Sequence, residues 1–102
     1  MPEPRALNAD ECAPVMRAIA EPIRLRIIST LRHGPLAVFE LTERLGIKQY
    51  QASRHLTALF ELGVVTRARQ GKRVIYGLSE AVRNEPDSAP SVDLGCCRFS
   101  VE

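Results

Sequence analysis

The sequence predicts a small, mainly α-helical α+β domain in which four helices precede one β-hairpin. Its 102 residues leave room for a single hydrophobic core. Apolar residues recur at helical spacing through the first two thirds of the chain, and the spacing then changes to the alternation of strands. With 45% hydrophobic and 25% charged residues, the composition is typical of a soluble globular chain and excludes wholesale disorder.

The first two helices are predicted on either side of residue 20. Ala9 to Ala18 has helix-forming composition, although Pro14 must lie early in the helix or bend it. Glu21-Pro22 is a typical helix start, and Gly34-Pro35 ends the segment. Apolar residues follow that start at helical spacing, namely Ile23, Ile27, Ile28 and Leu31.

The next two helices form a predicted helix-turn-helix. Apolar spacing from Val38 to Leu45 predicts a short helix that Gly46 ends, and after three residues a second helix runs from about Gln49 to Leu62. Two helices joined by a short glycine-containing turn define the motif. The apolar stripe of the second helix is predicted to face the core and consists of Ala52, Leu56, Leu59 and Gly63.

The second helix of this motif carries polar groups suited to the major groove of DNA, because such a helix uses its N-terminal side chains on base edges. The candidate DNA-binding residues here are Lys48, Gln49, Tyr50, Gln51, Ser53, Arg54 and His55. For Arg54, a DNA contact is favoured over a solvated position. For His55, a hydrogen-bonded packing role is equally favoured.

After Gly63 the sequence predicts a β-hairpin with glycine in its turn. Strand-like residues run from Val64 to Arg69 and from Arg73 to Leu78, around Gln70-Gly71-Lys72. Four basic residues near the tip are predicted to contact the DNA backbone, namely Arg67, Arg69, Lys72 and Arg73. A helix-turn-helix followed by a basic hairpin predicts a winged helix-turn-helix.

The distribution of charge agrees with a double-stranded DNA partner. The window from Arg44 to Arg73 contains seven basic residues and one acidic residue, a charge of +6, so the other 72 residues carry −4. A basic segment on an acidic body suits phosphate binding. A solvated charged face is the alternative.

Residues 84–90, Asn-Glu-Pro-Asp-Ser-Ala-Pro, are predicted to be a linker. The DNA-binding domain is therefore assigned to residues 1–83, and the linker with a cysteine-containing tail to residues 84–102. Neither a signal peptide nor an apolar stretch long enough for a membrane span is found. The chain is expected to be cytoplasmic, without a membrane partner.

Three segments resemble the ArsR/SmtB family of repressors, namely 18–28 (AIAEPIRLRII), 52–56 (ASRHL) and 63–76 (GVVTRARQGKRVIY). The resemblance covers about residues 14 to 79. It implies a homodimer formed through the terminal segments, which represses an operon when unliganded and leaves DNA on binding a metal or metalloid. Because one recognition helix reads few base pairs, an inverted-repeat operator is expected.

The sequence departs from the family at two metal sites. Many relatives carry Cys-x-Cys on the first helix of the motif. The corresponding stretch here is residues 36–41, where Ala37 and Phe39 cannot ligate a metal. Other relatives bind zinc through a long C-terminal helix, but Pro86 and Pro90 shorten such a helix, and no histidine follows His55. Neither site is expected.

The three cysteines are the candidate metal ligands. Cys96 and Cys97 are adjacent, Gly95 permits a bend that brings both sulfurs to one side, and Cys12 is a possible third ligand. Three thiolates without nitrogen or carboxylate ligands suit As(III) or Sb(III) as inducer better than zinc, which prefers four ligands. No organic cofactor is expected.

The same cysteines allow alternatives to a metalloid site. Cadmium, lead or copper(I) could bind the three thiolates. A disulfide or persulfide that involves Cys12 and a tail cysteine could act as a redox switch. All three cysteines could also be packing residues.

Two further classes of protein are disfavoured. A winged helix that binds proteins in place of DNA would not need the basic hairpin or the polar helix. An enzyme is not expected, because no nucleophile and base occur at a motif spacing. A vicinal-cysteine reductase is the least favoured of these alternatives.

Overall fold

The computed structural model describes residues 8–80 and 82, and the backbone of 92–93 and 98–99. Its elements in chain order are α1 (Ala9–Ile19), α2 (Pro22–Leu31), β1 (Leu36–Ala37), α3 (Val38–Leu45), α4 (Gln49–Glu61), β2 (Val65–Gln70), β3 (Arg73–Leu78), β4 (Val92–Asp93) and β5 (Arg98–Phe99). The predicted architecture of four helices followed by a hairpin is confirmed. Among the described residues, no helix is long and apolar enough to cross a membrane. The predicted linker, 84–90, lies outside the described residues.

Side chains just before the first two helices cap their N-termini. The Asn8 side chain accepts a hydrogen bond from the backbone N–H of Glu11 at 2.9 Å and so caps α1. Pro14 lies within α1, as its sixth residue. Glu21 caps α2 in the same way, and Pro22 occupies the first helical position, where its missing N–H costs no hydrogen bond.

The hydrophobic core lies between the helices and the base of the hairpin. The largest fully buried side chains are Ile27, Ile28, Leu41, Leu56, Leu59 and Val64. The predicted apolar stripes of α2 and α4 are therefore confirmed, except at Gly63. That residue is exposed, because α4 ends at Glu61 and Gly63 takes a φ of 78° in the turn that follows. Gly46 ends α3 with a φ of 65°, and its N–H donates to the carbonyl oxygen of Thr42 at 2.9 Å. This left-handed turn redirects the chain so that α4 packs on the same core.

The hairpin belongs to a three-stranded antiparallel sheet of order β1-β3-β2. The strand β1 was not predicted from the sequence, because two residues are too few to show alternation. Leu36 pairs with Tyr76 and Ala37 with Ile75, so β1 covers the edge of β3 that β2 leaves open. The sheet is thereby joined directly to the start of α3.

We call β2, β3 and the two residues between them the wing. Gln70 pairs with Arg73, and Gly71 takes a φ of 63° at the first position of the turn, as tight hairpin turns require. At the base of the wing, the Ser79 hydroxyl oxygen lies 2.7 Å from the carbonyl oxygen of Gly63 and 3.1 Å from that of Val64. The wing is thus closed at both ends.

Candidate nucleic-acid interface

The helix α4, which we call the recognition helix, presents a polar outer face at its N-terminal end. Its first turn is supported by Gln51, whose side-chain oxygen accepts a hydrogen bond from the backbone N–H of Lys48 at 3.1 Å. The side-chain oxygen of Gln51 therefore already has a partner within the protein. Tyr50 is 66% exposed, and Lys48, Gln49 and Arg54 are also exposed.

Ser53 is half-buried and His55 is buried. His55, which the sequence placed among candidate DNA contacts, is only 7% exposed. The DNA contact considered for His55 is therefore corrected, because the side chain is buried and accepts a hydrogen bond from Arg24 of α2. The buried position of His55 agrees with the alternative role of a hydrogen-bonded packing residue.

His55 is held by an arginine that was not among the residues predicted from the sequence. Arg24 Nε donates to Nδ1 of His55 at 3.1 Å, and Arg24 also donates through a terminal nitrogen to the carbonyl oxygen of Ala18 at 3.0 Å. A signal was present: Arg24 precedes Ile27 and Ile28 by three and four residues, so it lies on the buried stripe of α2. A charge on such a stripe indicates a buried partner.

Glu21 completes this polar cluster. Its Oε2 atom accepts from the backbone N–H of Arg24 at 2.8 Å and lies 3.9 Å from Nδ1 of His55. Partial burial raises the pKa of Glu21. The backbone hydrogen bonds from Arg24 and Ile23 and the charges of His55 and Arg24 lower it, and together they outweigh the effect of burial. The net result is a pKa below the usual value, so Glu21 is a carboxylate at neutral pH.

Burial is also the main cause that lowers the pKa of His55. The Glu21 carboxylate opposes this effect by raising the pKa, whereas the positive charges of Arg24 and Arg54 lower it. The pKa of His55 is therefore below its ordinary value of 6.5. The ring is neutral at physiological pH, as its hydrogen bond from Arg24 requires.

All four predicted basic residues of the wing are exposed, but two of them contact aromatic rings of the protein. The guanidinium of Arg67 lies 4.0 Å from the centre of the Phe60 ring on the recognition helix. The guanidinium of Arg73 lies 4.6 Å from the centre of the Phe39 ring on α3, and 3.9 Å from a carboxylate oxygen of Glu40. Neither ring was assigned a role from the sequence.

The two arginines lie on opposite faces of the wing, because Arg67 pairs with Tyr76, three residues after Arg73. Each is directed towards a different helix of the helix-turn-helix. Such contacts stabilise an exposed arginine by about 0.5–1 kcal/mol. They limit where the charges of Arg67 and Arg73 lie.

Of the predicted metal ligands, the structure describes one. Cys12 is 5% exposed and disulfide-bonded. Cys96 and Cys97 lie outside the described residues, in the four-residue segment that joins β4 to β5. Among the side chains that the structure describes, no group of three metal-ligating residues occurs.

The fold and its basic face define a winged-helix DNA-binding protein, and comparison with known proteins gives its family. A family model described as a helix-turn-helix domain matches residues 19–68. The chain is 38% identical over 79 residues to the HTH-type transcriptional repressor SmtB of Mycobacterium tuberculosis (strain ATCC 25618 / H37Rv). The aligned region covers 78% of this chain and 58% of SmtB. The chain thus spans less than two thirds of this relative.

Solved structures extend the comparison. HlyU from Vibrio cholerae N16961 has a TM-score of 0.69 and 33% identity, covering 72% of this chain and 79% of HlyU. The homodimeric winged helix-turn-helix DNA-binding domain of Mb0332 from Mycobacterium bovis, described as a possible ArsR-family regulator, has a TM-score of 0.65 and 34% identity, covering 69% and 65%. The chain belongs to the ArsR/SmtB family of winged helix-turn-helix transcriptional regulators. These relatives are regulators and not enzymes.

Proposed function

We propose that this protein is a cytoplasmic transcriptional repressor that binds an inverted-repeat operator as a homodimer. The observation that carries the proposal is that the polar start of the recognition helix and the basic residues of the wing are both exposed within one winged helix-turn-helix. Tyr50 and Arg54 project from the helix, and Arg69 and Lys72 from the wing. In this arrangement residues 1–83 bind DNA, and residues 84–102 carry two of the three candidate effector cysteines, Cys96 and Cys97.

The two parts of this face are proposed to do different work. Arg54 lies on the recognition helix, where side chains reach base edges, whereas Lys72 lies in the turn of the wing, where a cation meets phosphate. Arg54→Ala should therefore lower affinity for a specific duplex more than for random DNA. Lys72→Ala should weaken both and reduce the dependence of affinity on salt.

Binding of both variants to a duplex selected from a random library, measured by fluorescence anisotropy over a salt series, tests this division. Equal losses on specific and random DNA in Arg54→Ala would contradict it. The dimer is tested separately by sedimentation. A monomer at micromolar concentration, both free and with DNA, would overturn the dimeric part of the proposal.

For the effector we propose arsenite or antimonite bound by thiolates of Cys96 and Cys97, with Cys12 as third ligand. Binding is a condensation in which arsenous acid reacts with three thiols to give a trithiolate complex and three water molecules. The burial of Cys12 in α1 supports a site shielded from solvent. Since Cys12 is disulfide-bonded here, reduction must precede binding.

This proposal is tested by adding arsenite to the protein–DNA complex under reducing, anaerobic conditions. Cys96→Ser and Cys97→Ser should each abolish release and leave DNA binding unchanged, because a hydroxyl cannot replace a soft thiolate donor. Cys12→Ser should only weaken release. Undiminished release in the Cys96→Ser, Cys97→Ser double variant would remove the tail from the mechanism.

A second candidate effector is an oxidant, which the disulfide at Cys12 favours directly. The chain has only two other cysteines, Cys96 and Cys97. In this scheme two thiols lose two electrons and two protons to form a disulfide, and hydrogen peroxide takes them up to give two waters. Release of DNA by peroxide without arsenite, lost in Cys12→Ser, would favour this candidate over the metalloid.

A further inference from the structure

One arginine side chain joins three helices on the inner side of the recognition helix. Arg24 of α2 donates through Nε to Nδ1 of His55 in α4 at 3.1 Å and through a terminal nitrogen to the carbonyl oxygen of Ala18 in α1 at 3.0 Å. His55 adjoins Arg54, which is exposed on the proposed DNA face. A polar link through a single ring nitrogen thus joins the recognition helix to α1 and α2, in addition to the packing of these helices on the common core.

The direction of this hydrogen bond depends on the protonation of the ring. Arginine has no acceptor, so Nδ1 of His55 must carry a lone pair, and the neutral ring must hold its proton on Nε2. A proton on Nδ1 would place two donors and two positive charges against each other. Glu21 Oε2, 3.9 Å from the same nitrogen, offers the protonated ring a carboxylate partner instead.

We infer that Arg24 is a positioning residue for DNA binding, which holds the recognition helix through the neutral ring of His55, and that protonation of His55 exchanges Arg24 for Glu21 and weakens specific binding. The inference rests on the proposed DNA-binding function. To that function it adds a residue that acts without contacting DNA, Arg24, and a step that depends on the protonation of His55.

The charged groups that act on the ring determine where this step occurs. Burial lowers the pKa of His55 most, Glu21 raises it, and Arg24 and Arg54 lower it. The exchange therefore takes place below pH 6.5, the ordinary value. The direction is diagnostic, because protonating a histidine at a DNA surface would ordinarily add positive charge and strengthen binding.

Two substitutions separate the positioning role from a general structural one. In His55→Asn, the side-chain oxygen lies near the position of Nδ1 and accepts a hydrogen bond but does not titrate. In Arg24→Gln, the amide retains a donor but loses the charge and the second link to Ala18. The tested quantity is selectivity, the ratio of affinities for a duplex selected by the wild-type protein and for a scrambled duplex.

We expect wild-type selectivity to fall about tenfold between about pH 7.5 and about pH 5.5, the effect of losing one hydrogen bond to a charged group. His55→Asn should keep its selectivity at both values. Arg24→Gln should show reduced selectivity at the higher pH and little further loss at the lower one. Equal pH dependence in wild type and His55→Asn, or wild-type selectivity in Arg24→Gln, would overturn the inference.

A second measurement uses the unmodified protein. The ¹⁵N shifts of the His55 ring should show a proton on Nε2 and a lone pair on Nδ1 at neutral pH. A ring protonated on Nδ1 would overturn the inference while leaving the proposed function intact. Failure of the wild-type protein to select any duplex at neutral pH would overturn the proposed function and the inference together.

Discussion

The guanidinium of Arg67 lies 4.0 Å from the centre of the Phe60 ring, so a basic side chain of the wing rests on the last turn of the recognition helix. The contact joins the wing to the recognition helix at the end opposite to the proposed DNA-contacting residues of that helix. The wing and the helix are consequently positioned relative to each other before DNA is present.

The first prediction concerns this contact. A double-mutant cycle of Phe60→Leu and Arg67→Gln should give a coupling energy of about 0.5–1 kcal/mol in urea unfolding, since leucine keeps the apolar contact but lacks the ring quadrupole. The matched control is the cycle of Phe60→Leu with Arg69→Gln, because Arg69 lies two residues further along the same face of β2. Equal coupling in both cycles would contradict a specific contact.

The second prediction concerns the turn before the recognition helix. Gly46→Ala should lower the free energy of unfolding by about 1–2 kcal/mol, because the φ of 65° is unfavourable for any residue with a Cβ atom. A Cβ atom at Gly46 would meet nothing within 4 Å, so the cost is in the backbone alone. Gly46→Asn should cost less, since asparagine tolerates this conformation. Chemical unfolding of the two variants gives the comparison, and a larger loss in the asparagine variant would refute the backbone origin of the cost.

The third prediction concerns the core beneath the recognition helix. Leu56→Ala should destabilise the protein by about 2–5 kcal/mol, because a fully buried side chain leaves a cavity. Thr57→Ala on the exposed face of the same helix should change stability by about 0.5 kcal/mol or less. Urea denaturation followed by circular dichroism measures both, and similar losses would mean that α4 does not pack as described.

The fourth prediction concerns stability against pH. Since the pKa of His55 is lowered on folding, the unfolded chain takes up the proton first as pH falls. The contribution of His55 is fully present above pH 6.5, its unfolded value, and is lost as pH falls through the folded pKa. Glu21 acts with the same sign, in a window below its ordinary value of 4.5. Thermal unfolding between about pH 7.5 and about pH 5.5 should show a loss that His55→Asn reduces; an unchanged slope in that variant would assign the loss to other groups.

Much of the fold could be predicted because the residues that begin or end its helices and its hairpin turn are recognisable in the local sequence. Three positions have a backbone conformation that only a few residue types favour: the helix start at Pro22, the left-handed turn at Gly46 and the hairpin turn at Gly71. The strand β1 could not be predicted, since Leu36–Ala37 become a strand only through pairing with β3.

The candidate site was less accessible to prediction. Exposure of Tyr50 and Arg54 followed from helical spacing, but His55 is three residues after Ala52, at the edge of the buried stripe, where spacing does not decide its direction. Its partner Arg24 is 31 residues away in the chain. Contacts of that separation depend on how helices pack, which no local pattern encodes.

The hydrogen bonds from Ser79 to the carbonyl oxygens of Gly63 and Val64 fix the base of the hairpin, so its length can vary only at the exposed tip. Because both strands meet the core at one fixed point, residues can be inserted in pairs on either side of the Gly71–Lys72 turn while the alternation of faces and the core below remain unchanged. A longer wing would carry its charges further along the duplex. The reach of the wing can therefore change while the helices and the core stay as they are.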